Sequence, residues 1–249
     1  MSQLRRFGFM IFLTFISGCA AHYVTLEEIS LPKKIYPPPQ EISNFELVLA
    51  QPDIVVETEL SDWLDVVLQK RLNHHVNSIS CHLTDELHSL LISKGFTISD
   101  TVVGRDHMSF IDKRNTRALF VPSIRIQLQE DSFTGFKRSR PVNASGNILM
   151  KSQVQIIMQE PLSGENVWIR NIPVDNSAQQ VTYVIPTDVE ASEISRSTVP
   201  EELAEVAKKI DSIFEDVAAN ILKASDQYIE RDEFEFLNED IQRLKKRQR

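Results

Sequence analysis

Glycine is scarce in this chain, with seven residues in 249. A phosphate-binding loop needs backbone amides brought close by clustered glycines. Gly8, Gly18, Gly95, Gly104, Gly135, Gly146 and Gly164 stand too far apart for a Walker loop or a dinucleotide fingerprint. Cysteine is scarcer still, at Cys19 and Cys81 only. No apolar run is long enough to cross a bilayer: Phe7–Gly18 is the longest, and a spanning helix takes roughly 20 residues. Positive charge is in deficit, with 27 Lys and Arg against 35 Asp and Glu and a net charge of −8. That balance argues against nucleic acid as a partner and against a general basic membrane-binding face. A Gly-x-Ser-x-Gly elbow and a His-Glu-x-x-His pair are both missing. The expectation is therefore a protein that is not an enzyme, with no catalytic residues, no metal ligands and no cofactor.

What is present begins at the N-terminus. Arg5 and Arg6 precede the apolar run, and Ile16-Ser17-Gly18-Cys19 closes it. A charged n-region, a short apolar h-region and small residues at a cleavage point make a secretory signal. An aliphatic residue, two small residues and a cysteine make a lipobox, in which the Cys19 sulfur accepts a diacylglycerol. A leader that is only cut away has no need of that cysteine. Arg5-Arg6 reads as an ordinary n-region rather than a twin-arginine signal. The expectation is a signal peptide over 1–18 and a bacterial lipoprotein held at the membrane through Cys19. Several acyl chains, palmitate among them, anchor firmly where one would not. Ala20, in place of an aspartate, favours the outer membrane, on either its surface or its periplasmic face. The mature chain would have 231 residues and a charge of −10. That is enough for one sizeable domain. With Cys19 acylated, Cys81 has no partner for an internal disulfide.

Residues 19–43 read as a lipid-anchored tether, with Pro32 and Pro37-Pro38-Pro39 favouring an extended course. The alternative is that Tyr23, Val24, Leu26 and Ile29 pack on the domain. Residues 44–229 read as that domain. Phe45–Ala50 is a short strand. Leu60, Trp63, Leu64, Val67, Leu68, Leu72, Val76, Ile79, Leu83, Leu87 and Leu90 recur at helical spacing. They predict one long helix, or two with a break near Asn73-His74-His75. Gly95 after Lys94 suits a helix C-cap. Phe96–Ile98 follows as a short strand. Ala118–Glu130 and Gly146–Gln159 alternate apolar and polar, and Val167–Ile172 returns after the turn Pro161-Leu162-Ser163-Gly164. The phase of the first strand slips at Pro122-Ser123, which suggests a bulge or an edge. Asn176–Val199 is polar and reads as a long loop. Glu201–Tyr228 is a helix led by Pro200, striped by Leu203, Val206, Ile210, Ile213, Val217 and Ile221. Its stripe favours packing on the sheet over a coiled coil. Residues 230–249 read as a charged extension, helical through Phe234, Leu237, Ile241 and Leu244. The predicted fold class is α+β: a small antiparallel β-meander covered on one face by long amphipathic helices.

Among candidate binding residues, Lys137, Arg138 and Arg140 form a basic cluster between the first two meander strands, with Lys113, Arg114 and Arg117 nearby in sequence. Arginine forks suit the carboxylate of a sialic acid, and salt screens distant carboxylates. The plainer reading is a solvated loop. The histidines, His75 and His82 among them, read as solvated helix residues. Cys81 falls off the apolar stripe and is expected to be partly exposed, an unpaired, inert thiol rather than one in a mixed or intermolecular disulfide. The basic end, Arg243 to Arg249, suits anionic lipid or lipopolysaccharide phosphates, against the simpler reading of a frayed tail.

Glu160-Pro161-Leu162-Ser163-Gly164-Glu165 stands between two predicted strands. It resembles the Glu-Pro-x-Ser-Gly-Glu turn of the neuraminyllactose-binding haemagglutinin (HpaA-type) outer-membrane lipoproteins. The lipobox, the helix ending at Gly95-Phe96, the strand Leu119–Leu128 and the Lys246-Arg247-Gln248-Arg249 end fall in the same order. The resemblance implies an adhesin of the cell envelope, with sialylated host glycans as partners. Lys137-Arg138 match the start of that family's proposed binding motif, and Ser139-Arg140-Pro141 depart from it. A rival expectation is a periplasm-facing scaffold lipoprotein that binds an envelope protein.

Overall fold

The computed structural model describes residues 22–31, 33–39, 41–42, 45–60, 62–134, 143–175, 177–184 and 195–247. The strands are β1 (Tyr23–Thr25), β2 (Glu46–Ala50), β3 (Asp53–Glu59), β4 (Thr97–Val102), β5 (Ala118–Thr134), β6 (Asn143–Gln159), β7 (Asn166–Ile172), β8 (Ser177–Val184) and β9 (Thr198–Pro200). The α-helices are α1 (Asp62–Ser93), α2 (Phe110–Asn115), α3 (Ala204–Tyr228) and α4 (Arg231–Arg247). The fold is α+β, and α1 and α3 pack on the sheet.

Two long strands organise the sheet. β5 and β6 pair antiparallel along nearly their whole length, from Leu119↔Gln159 to Thr134↔Ser145. Each carries two short strands end to end on its outer edge. β5 takes β2 and then β3, both parallel to it. β6 takes β7 and then β8, both antiparallel. β4 closes the far side, parallel to β2. The sheet is therefore mixed, with the antiparallel meander at its centre. Parallel pairing of β2 and β4 follows from the helix between them, since α1 returns the chain to the end at which it started.

Several local expectations are settled or changed. Of the two alternatives at Pro122, the edge holds and the bulge does not: Pro122 pairs with Ile156 in continuous register and has no partner strand on its other side. Pro122 falls between the β2 ladder, which ends at Phe120, and the β3 ladder, which starts at Ser123. A residue without an N–H removes no bond from either. Leu119 and Val121 look out of phase because they face a second, smaller core with Val48, Ala50 and Met108. Residues 177–184, expected within a loop, form β8 against Asn143–Met150. Of the two readings of the tether, the described residues 22–31 and 33–39 follow the second and lie on the domain: β1 pairs with β9, Leu26 is buried in the main core, and Tyr23, Val24 and Ile29 pack against it.

α1 is one unbroken helix whose buried line runs Leu64, Leu68, Leu72, His75, Ile79, Leu83, Leu87 and Leu90. It passes through His75 rather than Val76. Gly95 ends it in a left-handed residue (φ 90°), with Phe96 N–H donating to Leu91 O and Gly95 N–H to Ile92 O. This is the paired cap that satisfies the last carbonyls of a helix. α4 is helical from Arg231 to Arg247, through Phe234, Leu237, Ile241 and Leu244. Phe234 is fully buried against Phe96, Phe120 and Trp168, and Ile241 is fully buried too.

Candidate functional site

The break between β7 and β8 leaves a notch in the sheet. β6 pairs with β7 from Val154 onward and with β8 up to Met150, so Lys151, Ser152 and Gln153 have no partner strand on that edge. The chain crosses the gap through Pro173 and Val174. The resulting cavity has a volume of about 770 Å³, and its polar lining is Ser123, Arg125, Lys151, Ser152, Gln153, Gln155 and Asn171.

Alternation explains this lining. On β5 the even residues Ile124, Ile126 and Leu128 point into the core, so Ser123, Arg125 and Gln127 face the open side. Their β6 partners Gln155, Gln153 and Lys151 face the same way. Gln155 donates to Asn171 Oδ1 at 3.0 Å. Gln127 donates to Glu59 Oε1 at 2.8 Å. Arg125 and Lys151 are exposed and make no ion pair or hydrogen bond through their side chains among the described residues. Ser152 is 7% exposed, and its hydroxyl is buried without a partner among the described residues. A buried hydroxyl with nothing to bond is normally compensated; Ser152 alternates with Lys151 and Gln153 and shares the buried side of β6 with Met150 and Val154. The notch thus presents two cations that are unpaired among the described residues, with side-chain amides beside them. β3 supplies the opposite charge beyond them, with Glu57 beside Gln127.

The sequence-predicted residues fall elsewhere. Cys19 and the cluster Lys137, Arg138 and Arg140 lie outside the described residues. Lys113 and Arg114 sit in the last turn of α2, and Arg117 just precedes β5. Arg125 and Lys151 gave no sequence signal, because each is an isolated cation in an alternating strand.

His75 is not solvated. It is fully buried on α1, and its Nε2 lies 2.7 Å from Asp211 Oδ1 of α3. Arg71, 3% exposed, forks onto the same carboxylate, with Nε 2.8 Å from Oδ1 and Nη2 2.5 Å from Oδ2. Its remaining donors reach Arg196 O at 2.8 Å and Glu27 O at 2.9 Å. Burial pushes the Asp211 carboxyl up, but the hydrogen bonds and charges of His75 and Arg71 hold it below the usual carboxylate range. The second His75 nitrogen, Nδ1, has no partner among the described residues, and the ring packs on Phe214 at 5.3 Å. The group is a strut joining four segments. Among the described residues no cluster of His, Cys, Asp and Glu is suited to a metal ion. Cys81 is a free, exposed thiol.

The turn that carried the resemblance is also built from within. Glu160 is fully buried, and its carboxylate accepts from Leu162 N–H, Ser163 N–H and Ser163 Oγ. Arg105 clamps the outside through Pro161 O and Leu162 O.

No family model matches the chain, and no curated protein matches it. Solved structures do. A neuraminyllactose-binding hemagglutinin homolog from Helicobacter pylori is 12% identical, with a TM-score of 0.49. The match covers 84% of this chain and 97% of that one. A DUF330 protein from Xanthomonas campestris is 7% identical over 82% of this chain and 97% of its own, at a TM-score of 0.29. Lipoprotein GNA1162 from Neisseria meningitidis is 7% identical, covering 59% of this chain and 88% of that one, at a TM-score of 0.21. Likeness at these levels assigns no function to the chain.

Proposed function

We propose that the chain is an outer-membrane lipoprotein, anchored through acylated Cys19, whose domain is a non-enzymatic binding module for acidic, sialylated glycans. The observation that carries the binding role is the notch, where Arg125 and Lys151 stand exposed and unpaired among the described residues, beside the amides of Gln153 and Gln155. A sialic acid offers a carboxylate for the arginine fork and hydroxyl and acetamido groups for amides. Lys137, Arg138 and Arg140 stand in the connection between the two strands that supply those cations, and form a second candidate group for the same ligand. The lipobox supports the anchor.

The test is a glycan array followed by direct titration, using the full chain and Arg125→Ala/Lys151→Ala. A hydrogen bond to a charged group contributes about 1.5–3 kcal/mol, so the double variant should bind at least about tenfold more weakly. Circular dichroism checks that both variants keep the fold. Equal binding by the variant, or no sialylated ligand for the wild type, removes the proposal. Protease digestion of intact cells separates a surface adhesin, which is cut, from a periplasmic scaffold, which is cut only after the outer membrane is opened.

A further inference from the structure

We propose that the tip formed by α2 and the end of α4 docks on an anionic lipid surface. Val103, Phe110 and Ile111 are 58%, 68% and 67% exposed there. Phe110 and Ile111 open a two-turn helix whose closing residues include Lys113 and Arg114. α4 ends on the same spot: Lys245 Nζ donates to Arg114 O at 3.2 Å and to Thr116 O. That contact brings Lys246 and Arg247, both exposed, beside α2. Residues 103–117 hold four Lys and Arg against Asp106 and Asp112. Asp106 lies 3.9 Å from Arg105, and Asp112 is engaged with Ser109. A chain with a net charge of −8 thus carries a local excess of cations around exposed apolar side chains.

Aromatic and aliphatic groups on a projecting turn, ringed by Lys and Arg, combine the two forces that hold proteins at a lipid interface. Each of the three apolar residues projects into water rather than lining a groove, which suits acyl chains better than a protein segment. Docking does not depend on the Cys19 anchor.

The test uses the full chain with its own anchor and the changes Ile111→Cys and Cys81→Ser, spin-labelled at 111. It is mixed with phosphatidylcholine vesicles, with or without phosphatidylglycerol. With phosphatidylglycerol, the label should become several-fold less accessible to a water-soluble nickel complex and more accessible to oxygen. Lys113→Glu/Arg114→Glu, and separately Lys246→Glu/Arg247→Glu, should return it to water. A label that stays in water in both vesicles overturns the proposal, as does one buried equally without anionic lipid. A label protected only by added envelope protein also overturns it, and makes the tip a protein-docking site. Sedimentation with the vesicles reports the anchor separately. A Cys19→Ala chain lost from the pellet leaves the reading at 111 unaffected in meaning.

Discussion

Asp211 takes three hydrogen bonds from Arg71 and His75 while its side chain is 14% exposed. Removing one member of a buried ion pair leaves the other charge desolvated and alone, at about 3–5 kcal/mol. Asp211→Ala should lower the unfolding free energy by that order, read by urea denaturation at neutral pH. The pH dependence has a definite sign. The folded carboxyl sits below its unfolded value, so the folded state binds fewer protons between the two. The stabilisation is present above about pH 4, the ordinary unfolded range, and is lost as pH falls through the folded value. Wild type and Asp211→Asn should therefore converge in stability under acid, and a constant difference between them would refute the role given to Asp211. The sequence offered little warning of this group. His75 sits one position from Val76 on α1, and helical spacing permits either on the buried line. Only the approach of Asp211 from α3, 136 positions away, selects the histidine.

Elements show the same division. Gly95 was legible as a cap, and its surroundings add a second reason for glycine. A Cβ there would lie 2.3 Å from Glu41 O. Left-handed backbone alone disfavours a side chain by about 1–2 kcal/mol. Gly95→Ala should exceed that in a melting experiment, because the segment around Glu41 must also shift. A loss well under 1 kcal/mol would show that the segment is not held there. α3 and the β5–β6 pair were legible because each carries a strong apolar period. β3 and β8 were not. β8 contains Gln179, Gln180 and Thr182, and it forms as a strand because β6 is long enough to offer an edge beyond β7. Pairing supplies what its composition lacks. The notch exists for the same reason, since two short strands cannot share one long edge without a gap. No residue pattern announces that gap.

At the scale of the molecule, both ends of the described chain close on one core. Leu26 belongs to the same buried cluster as Phe234 and Ile241. The N-terminal segment is fixed by Ser30 N–H to Glu215 and by Lys34 Nζ to Asp226. Its backbone also bonds the buried Glu86, through Lys34 N–H. α4 therefore should not melt by itself. Phe234→Ala, which removes a ring at the meeting of Phe96, Phe120 and Trp168, should destabilise the whole domain by about 3–5 kcal/mol. Tryptophan fluorescence and far-ultraviolet circular dichroism should report coincident transitions. A separate early loss of helix would place α4 outside the core. The sequence by itself determined the long helices, the central strands, the Gly95 cap and the α+β class, because these depend on periodicities within one segment. Tertiary structure alone decided that His75 is buried, that 22–39 packs on the domain, that β8 is a strand, and that Arg125, Lys151 and Ser152 line one cavity. Each of these depends on a partner distant in sequence, and local composition does not encode which distant group arrives.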